Sequence, residues 1–376
     1  MEKKIAIVGA SYLQLPLVLK ARDMGLKTVC FAWLDGAVAS TACDRFYPIS
    51  VTEKEKILEV CRAEGVDAVT TIATDIAVPT VAHVATSLNL IGNTPESAYV
   101  STNKYAMRTE LANCAVNCPK FLRIVDPNEL AEKIGSFRFP LIVKPCDRSG
   151  SAGVCKVETA AELNAAVRVA LKVAFGHEAI VEEFVTGVEV SVETISWKGQ
   201  HHILAITDKV TSGAPHFVEL AHHQPSRHTA EVQSEIRRQT LAALTALDIN
   251  YGASHSEFII TPDGRVFVTE VGARMGGDFI GSDLVQLSTG YDFLKGVIEV
   301  ACGTFSPPRA NQGRCSGVWF FSKQTPLVLD YIRQRDRHPE IVRAEISSLE
   351  LVELTKSADR SGYFIYQGDA RLNLES

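Results

Sequence analysis

The sequence lacks any run of the roughly 18 apolar residues that a membrane-spanning helix needs, so no membrane partner is expected. A secretory leader is not expected either, because after the basic start MEKK the apolar stretch IAIVGA is too short to serve as one. No Cys-x-x-Cys pair occurs among the nine scattered cysteines, and Cys114 and Cys118 stand four apart without a second pair. That argues against structural zinc and against a disulfide framework, and points to reduced thiols in the cytoplasm. Positive charge is not in excess: 38 Lys and Arg against 44 Asp and Glu leave a net charge of −6. A general binder of nucleic acid or of anionic membranes is therefore not expected. Internal repeats and low-complexity tracts are absent as well.

What is present is an ordinary globular balance, 46% hydrophobic and 22% charged, over 376 residues. That length is too great for one core, so two or three domains are expected. The segments KKIAIVGA, LKTVCFAW and DAVTTIA read as buried parallel strands, alternating with helical spacing over 15–24, 54–63 and 78–88. This rhythm suggests a Rossmann-like half-sheet over 1–95. Its first turn, GASYLQLP, keeps only Gly9 of a G-x-G-x-x-G loop, so dinucleotide binding is not expected there. Residues 89–103 read as a linker running into a helix. Beyond it the chain changes to α+β, with strands in CPKFLRIV, FPLIVKP, GVCKVET, AIVEEFV, VEVSVETISW and HHILAITDK. Helices are expected near 127–134, 160–174 and 231–247. The Pro/Gly-rich GTFSPPRANQG marks a break, and a small α+β domain is expected over 306–376.

Three stretches carry chemistry. In EFIITPDGRVFVTEVGARMGGD, residues 257–278, two β-type runs flank a PDG turn, so the stretch reads as a hairpin. Folding it brings Glu257 and Glu270 side by side, where they would repel unless a cation lay between them. A hard, oxygen-seeking ion suits that position, and Arg274 offers a planar fork suited to phosphate. The same stretch reads equally as an exposed hairpin with two solvated acids. In FPLIVKPCDRSGSAGV, residues 139–154, a strand delivers Lys144 into a small-residue loop whose N–H groups could approach phosphate. It is not the Walker pattern, and an ordinary hairpin loop fits as well. In IVEEFVTGVEVSVE, residues 180–193, a strand end could offer backbone to an adenine edge and a carboxylate to ribose. Acids alternating outward on a half-buried sheet fit the spacing better.

Taken in order, Asn103-Lys104, strand–Lys144–Pro145, the glycine loop, EEFV with Glu189, and the Glu257/Glu270 pair with Arg274 resemble the ATP-grasp superfamily of carboxylate–amine ligases. The resemblance runs from about Lys4 to Cys302. It implies a two-lobed ATP-grasp domain over 96–305, with a lid lobe over about 115–187, following the Rossmann-like domain. By resemblance, Lys104 and Lys144 would meet the ATP phosphates, and a loop of Ser149, Gly150, Ser151 and Gly153 would close over them. Glu182, Glu183, Phe184 and Val185 would line the nucleotide, Glu183 and Val185 framing adenine, and Glu189 would meet ribose. Glu257 and Glu270 would hold Mg²⁺, or Mn²⁺ in its place, and Arg274 would steady the transferred phosphoryl group. Gly276 and Gly277 would leave room for an acyl-phosphate. The family often carries Asn two residues after the second metal acid, where this chain has Gly272.

EVGARMGGD, together with the HFVELAHHQPS loop at 216–226, is most similar to the L-amino-acid ligase branch, whose members join amino acids into dipeptides. That resemblance implies Glu219 against a substrate amino group, His222 against the acyl-phosphate or carboxylate, and a homodimer. Without it, His222 and His223 read as two polar loop residues. The implied chemistry is transfer of the γ-phosphoryl group to a carboxylate, attack by an amine, and release of ADP and phosphate. The rivals are a carboxylase or purine-pathway ligase using bicarbonate or formate, and a nucleotide-binding protein without activity.

Overall fold

The structure, a computed structural model, describes residues 2–148, 150, 152–214, 216–309 and 313–374. The N-terminal unit comprises β1 (Lys4–Val8), α1 (Leu15–Asp23), β2 (Lys27–Phe31), β3 (Arg45–Tyr47), α2 (Lys54–Glu64), β4 (Ala68–Thr70) and α3 (Val78–Ser87). Its four strands are all parallel, in the order β3-β2-β1-β4. The buried KIAIV and KTVCF runs are what a sheet covered on both faces requires. β3 was not expected; RFY is only three residues and half-exposed, too short to carry a period.

The linker holds a helix of its own, α4 (Pro95–Thr102), started by the Thr94 cap and Pro95. It runs into α5 (Lys104–Asn113), where the Asn103 side chain accepts from Ala106 N. Next come β5 (Phe121–Ile124), the short α6 (Leu130–Lys133), β6 (Leu141–Pro145), β7 (Cys155–Val157), α7 (Ala160–Val173) and β8 (Ala179–Glu183). These four strands make an antiparallel sheet, β5-β8-β6-β7. α7 lays Leu163, Val167 and Ala170 on it, against Leu141, Val143 and Val181.

The remaining strands form one eight-stranded sheet. β9 (Val188–Trp197), β10 (Gln200–Thr211), β11 (Glu219–Gln224), α8 (Ala230–Ala246), β12 (Gly252–Ile260) and β13 (Val266–Gly272) precede α9 (Val285–Thr289) and α10 (Phe293–Ala301). β14 (Cys315–Phe321), α11 (Leu327–Arg333), β15 (Ile341–Ile346) and β16 (Gly362–Gly368) follow. The order is β13-β12-β9-β10-β11-β14-β16-β15. Two expectations change here. HFVELAHHQPS contains the strand β11 and is not a loop throughout. The 306–376 segment supplies β14, β15 and β16 to this same sheet, because β14 pairs with the free edge of β11.

Alternation gives the sheet two faces. On one, Val190, Val192, Phe258 and Val268 pack under α8 and α5. On the other, Ile195 and Ala253 meet α10, which also packs against Leu17 and Val18 of α1. The second face, beyond α10, carries the polar residues described next. Among the described residues no helix is long and apolar enough to cross a membrane, and all nine cysteines are free.

Candidate functional site

The β12–β13 hairpin forms as expected. Gly264 closes the turn at φ +81°, with its N–H donated to the Thr261 carbonyl at 2.8 Å. Glu257 and Glu270 are directly opposed in register. Each carboxylate meets an ammonium: Lys104 Nζ lies 3.3 Å from Glu270, and Lys209 Nζ lies 2.8 Å from Glu257. Lys209 also stands 3.5 Å from Glu189 and 3.6 Å from Glu219, with only 4% of its side chain exposed. Burial favours its neutral form, but Glu257, Glu189 and Glu219 overcome that and hold its pKa above the ordinary value. Burial likewise opposes ionisation of Glu257, yet Lys209 and His255 keep that carboxyl well below its usual range. Glu189 is pushed up, by burial first. Lys209 escaped the sequence reading because its three partners lie on β9, β11 and β12, and only strand order brings them together.

Among the described residues no group of three or more His, Cys, Asp and Glu is arranged to hold a metal ion. Two opposed carboxylates nevertheless suit Mg²⁺, which keeps several waters and takes phosphate oxygens for its other positions. The two lysines show that the site calls for positive charge.

Lys104 begins α5 and donates from Nζ to the Arg148 carbonyl at 2.6 Å. Lys144, on β6, is 2.6 Å from Glu182, whose other oxygen accepts from Arg108 Nε at 2.6 Å. Arg108 is fully buried and reaches across to the Thr269 carbonyl. Glu182 thus sits within an Arg–Glu–Lys cluster joining the small sheet to α5. Burial lowers the pKa of Lys144. The Glu182 carboxyl, despite burial, is held low by Arg108 and Lys144. Glu182→Gln should therefore cost about 3 kcal/mol, since it strips two buried cations of their counter-charge. The folded carboxyl lies below its unfolded value, so its contribution is present at neutral pH and is lost as pH falls below about 4.3. Urea unfolding at pH 7 checks this; a loss under about 1 kcal/mol would contradict it.

Glu183 lies by Arg138, whose backbone N–H reaches it at 3.2 Å, and its own N–H donates to the Lys120 carbonyl. Phe184 donates its N–H to the Pro140 carbonyl, with Lys156 Nζ 4.5 Å above its ring. Val185 follows, half-buried. Ser149 and Ser151 lie outside the described residues. Gly150 and Gly153 take φ +64° and +74°, and a Cβ at Gly153 would stand 3.0 Å from Pro145 Cγ.

On β11, next to Lys209, Glu219 accepts from the Ser357 hydroxyl at 3.2 Å, and His222 is opposite Lys209 in register. His222 is 1% exposed, with Nε2 3.9 Å from Asp278, too long for a hydrogen bond. Neither ring nitrogen has a hydrogen-bond partner among the described residues. Burial lowers its pKa, against the pull of Asp278. Asp278 and Phe279 both take positive φ, 48° and 67°, a costly conformation for residues with side chains. Arg360 clamps Asp278 with two bonds of 2.8 Å. Gly276 donates its N–H to Glu193 at 2.9 Å, and Glu193 also bonds His255. A Cβ at Gly276 would fall 2.5 Å from Glu193 Oε1 and 2.7 Å from His255 Nδ1, so any side chain there would displace that pair. A Cβ at Gly277 would come within 3.7 Å of Ala73 Cβ in the N-terminal unit, an ordinary contact distance. Arg274 makes a two-bond ion pair with Asp75, at 2.9 and 2.8 Å. The sequence reading missed Lys209, Asp75, Arg108, His255 and Arg360, all polar residues without a local motif.

Residues 137–283 match the family model described as the ATP-grasp domain. The D-alanine–D-alanine ligase of Flavobacterium johnsoniae is 32% identical over 158 residues, 40% of this chain and 47% of that protein. The chain spans about half or less of the curated relatives it matches, 54% and 35% in two further cases. An L-amino acid ligase structure from Bacillus licheniformis superposes with TM-score 0.83 at 26% identity, over 98% of this chain and 94% of that one. N5-carboxyaminoimidazole synthetase from Staphylococcus aureus, complexed with ADP, superposes with TM-score 0.79 at 14% identity, over 98% and 95%. The chain therefore carries an ATP-grasp domain over residues 137–283, and over nearly its whole length it shares the fold of these two solved structures.

Proposed function

Taking the ATP-grasp domain as the premise, we propose that this chain is an ATP-dependent carboxylate–amine ligase that joins two amino acids through an acyl-phosphate. The observation that carries the reading is the opposed Glu257/Glu270 pair, flanked by Lys104 and Lys209. Glu219 and the unpartnered His222 lie on the same face of the sheet.

A carboxylate cannot be attacked by an amine while its leaving group is oxide. A carboxylate oxygen therefore attacks the γ-phosphorus and ADP departs. The amine lone pair then attacks the acyl carbon, and phosphate leaves with that carboxylate oxygen. Magnesium bound by Glu257 and Glu270 would offset charge on the phosphate oxygens. Lys104 and Lys144 would supply further charge to the phosphates, and Arg274, whose Nε and Nη2 are held by Asp75, would donate from Nη1 to the group in transfer. Glu219 would accept from the substrate ammonium. His222, kept neutral by burial, can take up the proton the amine must lose.

ADP release should require an amino acid with a free α-amino group, and N-acetylation of the first substrate should suppress it. A carboxylate built to accept from an ammonium would otherwise be left unpaired. With ¹⁸O in the substrate carboxyl, one label should appear in the released phosphate. Unlabelled phosphate, or AMP and pyrophosphate, would overturn the acyl-phosphate route. Full ADP release on bicarbonate alone would replace this reading with a carboxylase.

A further inference from the structure

The N-terminal unit lacks a dinucleotide loop, yet it reaches the site. After β4 the chain turns at Ala73, which takes φ +57°, and donates the Ala73 N–H to the Met275 carbonyl at 3.1 Å. Two residues later Asp75 meets Arg274 with Nε–Oδ1 and Nη2–Oδ2 bonds, both partners about 15% exposed. The turn is braced from behind: Gln14 donates from Nε2 to the Ile72 carbonyl at 2.7 Å and accepts from Ser11. A strained turn fixed at both ends persists only where surrounding structure over-determines it.

Gly272 makes room for this contact. A Cβ there would fall 2.6 Å from Asp75 Oδ1 and 3.2 Å from the Arg274 guanidinium carbon. The Asp75 carboxylate thus fills the space over β13 that a side chain at 272 would take, two residues from Glu270. A cavity of about 60 Å³, lined in part by Thr70, Val78, Asn93 and Ala253, lies beside Arg274. With packing incomplete there, the ion pair rather than neighbouring side chains sets where the guanidinium points.

We propose that Asp75 is the positioning residue for Arg274, so that the N-terminal unit completes the phosphoryl-transfer site from outside the ATP-grasp segment. The proposal rests on the role given to Arg274 above. A two-bond carboxylate fixes both the plane and the direction of a guanidinium. It leaves Nη1 to reach a phosphate oxygen; Nη1 is only 3.4 Å from the Met275 carbonyl, a weak contact.

The test is a double-mutant cycle of Asp75→Asn and Arg274→Gln, read as ADP release at saturating ATP with pooled amino acids. Asp75→Asn should lower kcat by about 10- to 100-fold, the usual effect of losing a group that orients a functional side chain, with KM for ATP changed less than about threefold. It should have little further effect in the Arg274→Gln background. Asp75→Glu should recover part of the loss. Equal fractional losses in both backgrounds would overturn the proposal. So would a kcat unchanged or raised by Asp75→Asn, which would make the pair a restraint. If the unsubstituted protein releases no ADP with any amino acid, the ligase reading fails and a binding measurement decides this one. Asp75→Asn and Arg274→Gln should then reduce the preference for a non-hydrolysable ATP analogue over ADP to the same extent. A preference untouched by Asp75→Asn but lost in Arg274→Gln would overturn the positioning role.

Discussion

Glu270→Gln should lower turnover by at least about 100-fold, the scale on which losing one preorganised electrostatic contact to a transition state acts. The substitution keeps size and shape and removes one negative charge. It takes away one of two opposed oxygen donors for a dication, and the partner of Lys104 Nζ at 3.3 Å. The fold should hold, because 28% of the Glu270 side chain is exposed and its strand is anchored from the opposite face by Val266, Val268 and Val271. Stability should stay within about 1 kcal/mol. Steady-state ADP release across a magnesium titration is the measurement. Turnover within about threefold of the unsubstituted protein at ordinary magnesium would remove Glu270 from the site, as would a loss traceable to unfolding.

Lys209→Met should destabilise the metal-free protein by about 3 kcal/mol. The ammonium is 4% exposed and faces three carboxylates at 2.8, 3.5 and 3.6 Å. Removing one member of a buried charge cluster leaves the others uncompensated, at about 3–5 kcal/mol. The lower end applies here, because Glu257, Glu189 and Glu219 are each about 30% exposed. The pH dependence follows from Glu257. With Lys209 present its folded pKa is depressed, so it stabilises above its unfolded value and the benefit is lost as pH falls. Without Lys209, the carboxylates repel one another and their folded pKa values rise. The penalty is then largest near pH 7.5 and shrinks towards pH 5 as protons neutralise them. Urea unfolding with a chelator present, at both pH values, tests this. A penalty below about 1 kcal/mol at pH 7.5, or one that grows on acidification, would show that Lys209 does not hold the cluster together.

The sequence by itself determined the features with local causes. The PDG turn and its two β-type runs set the hairpin and its register as far as Phe258 opposite Val268, because a tight turn dictates register; a bulge beyond that point then shifts the pairing by one and puts Glu257 opposite Glu270. Asn103 and Thr94 determined where α5 and α4 begin, through caps that satisfy their first N–H groups. The buried runs of β1 and β2 announced a parallel sheet covered on both faces.

Only the tertiary structure decided what those features meet. Lys209 and Glu257 are 48 residues apart, Arg274 and Asp75 199, Arg360 and Asp278 82. No periodicity spans such distances, so each pair depends on which strands become neighbours and how the N-terminal unit docks. β11 hid for a related reason. It places His222 towards the polar site and His223 against Tyr366 on the other face, so ELAHHQ shows no alternation of apolar and polar residues. The last segment reads as a separate unit because its strands are locally complete. Its place in the central sheet follows from the unpaired backbone edge of β11, which β14 satisfies, and hydrogen bonds between strands leave no mark on either strand's own sequence.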